Sequence, residues 1–143
     1  MPRSLGGVTP PTMDQARAVL EAQPFSKLVG ATLSQFGDGR ATIDIPLRLE
    51  HLQQGGIAHG GLVAYGADNA MTFAGGWALG PDVLTGSISV EYVAPAKGDV
   101  IRAEAWVSYV GARRAVCHCT VLVQREGDWH VCAIGQGLIK ARS

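Results

Sequence analysis

Charge is scarce in this 143-residue chain: Asp, Glu, Lys and Arg make up 17% of it, against 47% hydrophobic residues. Twelve basic residues balance twelve acidic ones, and the isoelectric point lies near 6.9. Without a basic excess the chain lacks the footprint of a nucleic-acid or anionic-membrane binder. So little charge also leaves a small domain short of polar cover, and burial of apolar surface between subunits is the expected remedy. Cysteine is scarce as well. An odd count of three excludes a disulfide framework and points to free thiols in a reducing, cytoplasmic compartment. Cys117 and Cys119 share one face of a strand with His118 on the other. No further ligand stands at metal spacing, so the cysteines read as small buried hydrophobes and no metal is expected. The N-terminus lacks the apolar core of a secretory signal. The run Ile57 to Leu79 is long enough to ask about a membrane. Asp68 near its middle would cost ~2.5–3.5 kcal/mol on insertion, and His59, Asn69 and several glycines add to that, so a membrane partner is excluded. Trp77, Trp106 and Trp129 read as core or interface aromatics.

Residues 1–11 read as a loose N-terminal arm and 12–143 as a single domain. Thr12 and Asp14 offer a cap to a short helix, Gln15 to Ala22, which Pro24 stops. Phe25 to Leu33 reads as a turn and an irregular strand, and Gly37-Asp38-Gly39 as a turn. Arg40 to Leu47 alternates as a half-buried strand, and Arg48 to Ala58 as a loop. A long apolar helix is expected from Gly60 to Leu79, closed by Gly80-Pro81. Four strands follow: Leu84 to Val93, Asp99 to Val110, Ala115 to Gln124 and Trp129 to Ile139. The last two gaps are hairpin-like, and the set reads as a meander. A curved antiparallel sheet around one helix satisfies this α+β pattern.

The chemistry concentrates in His59-Gly60-Gly61-Leu62-Val63-Ala64-Tyr65-Gly66-Ala67-Asp68-Asn69. A carboxylate inside an apolar helix costs free energy unless it is bonded or faces a wet cleft. The first-turn amides have no partner within the helix and sit at the positive end of its dipole, and glycines let a ligand oxygen approach them. The segment therefore offers an oxyanion site at Gly60 and an acid/base or nucleophilic carboxylate at Asp68. Eight residues separate the two, about 12 Å along a helix, too far for both to reach one carbonyl carbon from one chain.

The turn Gly55-Gly56-Ile57-Ala58-His59-Gly60-Gly61, the Asp nine residues after the His, and the later Tyr92-Val93-Ala94-Pro95-Ala96-Lys97-Gly98-Asp99 together resemble the hotdog-fold thioesterases of the phenylacetate-pathway (PaaI-like) type. The resemblance covers roughly Gly30 to Ile139. It implies a hotdog domain and hydrolysis of acyl-coenzyme A thioesters by homodimers or homotetramers with sites at the dimer interface. Coenzyme A enters as part of the substrate, and no cofactor is implied. Asp68 matches the catalytic carboxylate, Gly60 the oxyanion amide, His59 the residue before it, and Thr85 a hydroxyl that helps hold water. Gln53 stands where relatives often have Asn. With Gly61 and Asn69 it is a candidate substrate contact, and Lys97, Arg113 and Arg114 are candidates for the coenzyme phosphates. Tyr65, Met71, Phe73 and Trp77 are candidate walls of an aryl or medium-chain acyl pocket. A non-catalytic acyl-CoA binder and a hotdog dehydratase or hydratase are the alternatives.

Overall fold

The computed structural model describes residues 9–142. Helix α1 (Met13–Glu21) starts at Thr12, whose side chain accepts from the Gln15 amide while Gln15 reaches back to the Thr12 amide. A second helix, α2 (Pro24–Val29), replaces the irregular strand expected from Phe25 to Leu33. Proline is well suited to the first position of a helix, where its missing N–H is unneeded, so Pro24 ends one helix by opening the next. Gly30 closes α2 in the left-handed conformation, at φ 78°. Strands β1 (Thr32–Gly37) and β2 (Arg40–Pro46) then form a hairpin. The loop before the long helix contains a 3-10 turn, Leu49–His51.

The long helix α3 spans Gly60–Leu79. It is buried along most of its length and packs against all the strands that follow and precede it. Strands β3 (Val83–Tyr92), β4 (Val100–Val110), β5 (Arg114–Arg125) and β6 (Asp128–Ala141) complete one antiparallel sheet in the order β1-β2-β4-β5-β6-β3. The alternation of β5 explains its seat: Ala115, Cys117, Cys119, Val121 and Val123 face the helix, and the residues between them face outward. The fold is the hotdog, a curved antiparallel sheet wrapped around one central helix. The expected meander holds for β4, β5 and β6, but β3 crosses the sheet to pair with β6. The Pro95–Gly98 connection is therefore a crossover and not a hairpin, because α3 delivers β3 to the far side of the sheet.

All three thiols are buried, and burial raises Cys117 and Cys119 to about 12 and Cys132 to about 11. Among the described residues no group of three or more His, Cys, Asp and Glu is placed to hold a metal. No described helix is long and apolar enough to cross a membrane.

The helix sits close to the sheet because small residues face each other. Gly135 and Gly137 on β6 lie beneath Ala67 and Met71, and Gly75 lies against Ile139. A Cβ on Gly75 would stand 2.7 Å from the Ile139 Cβ, next to backbone that cannot swing aside. In an exposed helix Gly→Ala stabilises by up to ~1 kcal/mol, whereas overpacking a core costs about 1–3 kcal/mol. Because the clash falls on a fully buried β-branched residue, the second effect wins. Gly75→Ala is expected to lower stability by about 1–2 kcal/mol in urea unfolding; a variant as stable as the parent would show that helix and sheet can separate without cost.

Candidate active site

Asp68 lies midway along α3 on the side facing β3. Thr85, near the start of β3, donates from Oγ1 to Asp68 Oδ1 at 2.6 Å. Thr72, one turn further along α3, donates from Oγ1 to the Asp68 carbonyl at 2.8 Å and lies 3.1 Å from Thr85 Oγ1. Each hydroxyl has one proton. Thr85 commits its proton to the carboxylate, so Thr72's is shared between the Asp68 carbonyl and Thr85. The result is a carboxylate held in one orientation, half-buried, with no Lys or Arg in ion-pair contact among the described residues. Thr72 was visible in the sequence only as a polar residue close behind Asp68. Its spacing of four, which puts two helical side chains on one face, was the signal for its role.

Gly60 begins α3 at the other end of the same face. His59 is its cap, its Nδ1 accepting from the Gly61 amide at 2.9 Å. That bond places the imidazole proton on Nε2 and makes His59 an organiser of the helix start, at a distance from Asp68. The Leu62 amide is satisfied by the His59 carbonyl. Gly60 N–H donates to no group among the described residues, while the Gly60 carbonyl accepts from the Tyr92 hydroxyl at 2.7 Å. A pocket of about 670 Å3 opens here, lined by Gln53, Gly60, Gly61, Tyr92, Pro95 and Cys132 among others. Gln53 steadies its loop, donating from Nε2 to the Ala58 carbonyl at 3.3 Å. The Tyr92 contact was missed in the sequence, where this tyrosine served only as part of a motif.

The structure brings Asp68 and Thr85 together, and Gly60, Gly61, His59 and Gln53 together, but within one chain the two groups remain at opposite ends of β3. Asn69 belongs to neither. Its Nδ2 donates to Gln23 Oε1 at 3.1 Å and to the Tyr65 hydroxyl at 3.0 Å, in a polar cluster with Ser26 that ties α3 to α2. Adjacent helical residues point in different directions, so Asn69 turns away from the carboxylate of Asp68. Lys97 and the two arginines are also separated: Lys97 precedes the Val100 end of β4, whereas Arg113 and Arg114 follow its Val110 end, up to ~35 Å apart at ~3.3 Å per residue. Arg113 and Arg114 border a groove of about 460 Å3 together with Lys140 and Tyr109. Of the aromatic and thioether candidates for an acyl wall, Met71 is fully buried, Trp77 is a core residue and Tyr65 serves the polar cluster; Phe73 borders a cavity near Thr72.

Residues 55–129 match the family model of the Thioesterase superfamily. The chain belongs to that superfamily. Thioester hydrolysis is the chemistry this membership carries. No curated protein matches the chain in sequence. Among solved structures, a thioesterase family protein from Silicibacter pomeroyi is 25% identical, with TM-score 0.84 over 87% of this chain and 93% of that one. The PaaI protein from the E. coli phenylacetic acid degradation operon is 19% identical, with TM-score 0.80 over 91% of this chain and 92% of its own. A point mutant of the phenylacetic acid degradation protein PaaI from Thermus thermophilus is 24% identical, with TM-score 0.72 over 82% and 98%. At the last two identities the likeness to this thioesterase-superfamily chain is one of fold.

The short Thr85 bond generates a test. Thr85→Val keeps the shape and removes the donor, freeing the carboxylate to turn. Thioester hydrolysis by this variant should fall ~10-fold or more in kcat, a fraction of the ~10²–10⁴-fold that general acid–base assistance supplies, with KM little changed. A kcat equal to the parent's would mean that the Thr85–Asp68 bond serves stability alone.

Proposed function

We propose that this chain hydrolyses acyl-coenzyme A thioesters, on the pattern of the PaaI-type thioesterases, in active sites shared between two subunits. The observation that carries the reading is the carboxylate of Asp68, oriented by a hydroxyl on a neighbouring strand and left without a neutralising cation among the described residues. Hydrolysis of a thioester passes through a tetrahedral oxyanion, and one pre-aimed amide donor is worth ~2.7–4 kcal/mol of barrier. The Gly60 N–H, at the positive end of α3 and without an acceptor among the described residues, fits that part. Asp68 supplies the other, as base for the attacking water or as nucleophile on the carbonyl. Gln53, Gly61 and His59 shape the loop around the oxyanion.

The two halves meet if β3 pairs with a second β3. This strand ends the sheet with an open edge and carries exposed Leu84, Ile88 and Tyr92. A long, apolar open edge invites strand pairing. Two antiparallel copies of β3 centred on Ser89 set Thr85 of one subunit opposite Tyr92 of the other, once the extra residue at the bulge between Thr85 and Ser87 is counted. Thr85 bonds Asp68 and Tyr92 bonds Gly60, so the twofold brings the carboxylate of one chain toward the amide of its partner. Each dimer then holds two sites. The same operation carries Lys97 of one subunit toward the arginine end of the other, where these cations can meet the coenzyme phosphates.

Asp68→Asn keeps the size of the side chain and removes its charge. The expected fall in kcat is ~100-fold or more, read on the best of a panel of acyl-CoA esters. Gly60→Pro removes the amide donor, and the fold accommodates it: Gly60 is the first helical residue, where proline is favoured, and His59 at φ −59°, ψ 135° already has the backbone that precedes a proline. Each variant alone should be nearly inactive. Co-refolded, they should recover part of the parent activity, because some mixed dimers hold one intact site. No recovery, with mixed dimers detected by mass spectrometry, would place the whole site within one chain. For the coenzyme, Arg113→Ala combined with Arg114→Ala should raise KM for acyl-CoA severalfold with kcat nearly unchanged, as expected for contacts common to ground and transition states. The same variant should cleave a short thioester lacking the nucleotide as the parent does. An unchanged KM for acyl-CoA would leave the arginines as a solvated turn.

A further inference from the structure

His51 is buried, 7% exposed, in the loop that leads to α3, and thioester hydrolysis gives its imidazole no part. The ring holds this loop to the helix beneath it. Its Nδ1 accepts from the Arg48 amide at 3.0 Å, across the 3-10 turn. A ring nitrogen that accepts carries no proton, so the proton of the neutral ring sits on Nε2, where the Val29 carbonyl of α2 receives it. Arg48 anchors the same turn a second time, donating from Nη2 to the Leu28 carbonyl.

Beyond this turn the chain doubles back. Leu52 and Ala58 pair as an antiparallel bridge, and the Gln53 amide donates to the Ile57 carbonyl at 2.9 Å. Gly55-Gly56 lies at the tip of this small loop. His51 and His59 form its base, where the His59 amide donates to the His51 carbonyl at 2.9 Å. The next amide along the chain is that of Gly60. Its direction is set by the backbone of His59, at φ −59° and ψ 135°. Fixing His51 therefore fixes the residue whose torsions aim the Gly60 N–H.

We infer that neutral His51 is a positioning residue for the Gly60 amide: its ring ties the base of the loop to α2, and protonation of that ring releases the loop and misaims the oxyanion donor. The inference rests on the thioesterase reading of Asp68 and Gly60. A second proton on the ring can go only to Nδ1. There it meets the Arg48 N–H, a donor against a donor, and the new charge lies 3.2 Å from the Arg48 guanidinium. Of the groups that act on the ring, Arg48 opposes the charge, while the Val29 carbonyl and Glu50 favour it; α2 and the start of α3 bring no other ion to it among the described residues. Burial first and Arg48 second prevail, and the imidazole titrates below its ordinary value. With the loop open the ring titrates in the ordinary range. The hold is therefore complete above pH ~6.5 and weakens as the pH falls from there through the lowered value of the held ring.

The test uses His51→Asn and His51→Phe. Asparagine offers Oδ1 in place of Nδ1 and does not titrate; phenylalanine keeps a ring and offers no acceptor. Above the imidazole range, His51→Phe should lose ~10-fold or more in kcat for the best acyl-CoA ester with KM little changed, inside the ~100-fold that a small misplacement can cost, whereas His51→Asn should stay within about threefold of the parent. As the pH falls, kcat of His51→Asn relative to the parent should rise, because only the parent loses its hold. Asp68 is present in both, so its titration cancels in the ratio. Amide NMR gives a reading that needs no turnover: in the parent the Gly60 resonance should show a step below pH ~6.5 that is missing in His51→Asn, while a step caused by His59 is common to both. A flat kcat ratio, or the same Gly60 titration in both proteins, would make His51 an ordinary core residue, and so would full activity of a folded His51→Phe. If that variant does not fold, the comparison of parent with His51→Asn decides alone. Failure of His51 in these tests leaves hydrolysis by the parent intact; a parent that hydrolyses no acyl-CoA ester overturns the thioesterase reading and the inference with it.

Discussion

Close approach of α3 to the sheet is the constraint from which the rest of the structure follows. Glycines and alanines face each other across the contact between helix and sheet, and Gly75 against Ile139 leaves no room for one more methyl. That proximity lets a threonine on β3, with a side chain of one carbon beyond Cβ, reach a carboxylate on the helix. It also lets the Tyr92 hydroxyl reach the first carbonyl of α3. Both ends of the helix face are thereby pinned to one strand, and a polar arrangement is held by apolar packing. The barrier to rearranging the site is the cost of opening the core.

The same packing determines which polar groups are spent and which are spare. The second face of α3 uses Asn69 and Tyr65 to hold α2 through Gln23 and Ser26, so those groups are committed to architecture. On the convex side of the sheet, Arg102 forms a two-pronged pair with Asp44 and stacks on Trp129; the carboxylate's hydrogen bond is the main reason the guanidinium is held even more firmly in its charged form. His51, in the loop before α3, is shifted toward its neutral form by burial first and by Arg48 second, and it receives the Arg48 amide at 3.0 Å. Against this background of paired groups, Asp68 and the Gly60 amide stand out: among the described residues the first has no ion-pair partner and the second no acceptor.

Much of this was legible in the sequence. The long helix was readable because its cap, its apolar run and its Gly80-Pro81 stop all agree, and β5 because its alternation is unbroken from Ala115 to Val123. The helix carboxylate announced itself by being the one acid in an apolar stretch. What failed to show has physical causes. Pro24 both terminates and initiates, so the residues after it look the same whether they open a helix or a strand. The place of β3 in the sheet depends on where α3 delivers the chain, which no local pattern encodes. Asn69 looks like Asp68's companion in one dimension, and only the 100° turn between successive helical residues sends it to another neighbour. The cavity that Phe73 and Thr72 border combines residues from Thr9 to Val83, which no local pattern brings together.

The position of β3 also bears on how the chain comes to be folded. This strand is made fourth from the end of the sequence's elements, directly after α3, yet its partner within the chain is β6, the last strand. Until residues 128–141 exist, both edges of β3 are unpaired and the face of α3 that rests on Gly135 and Gly137 has nothing to cover it. Contacts that close so large a loop form late and slowly, and exposed strand edges are the usual points of misassociation for incomplete chains. The final strand is thus the latch of the domain: its arrival pairs the one free strand and closes the sheet over the helix.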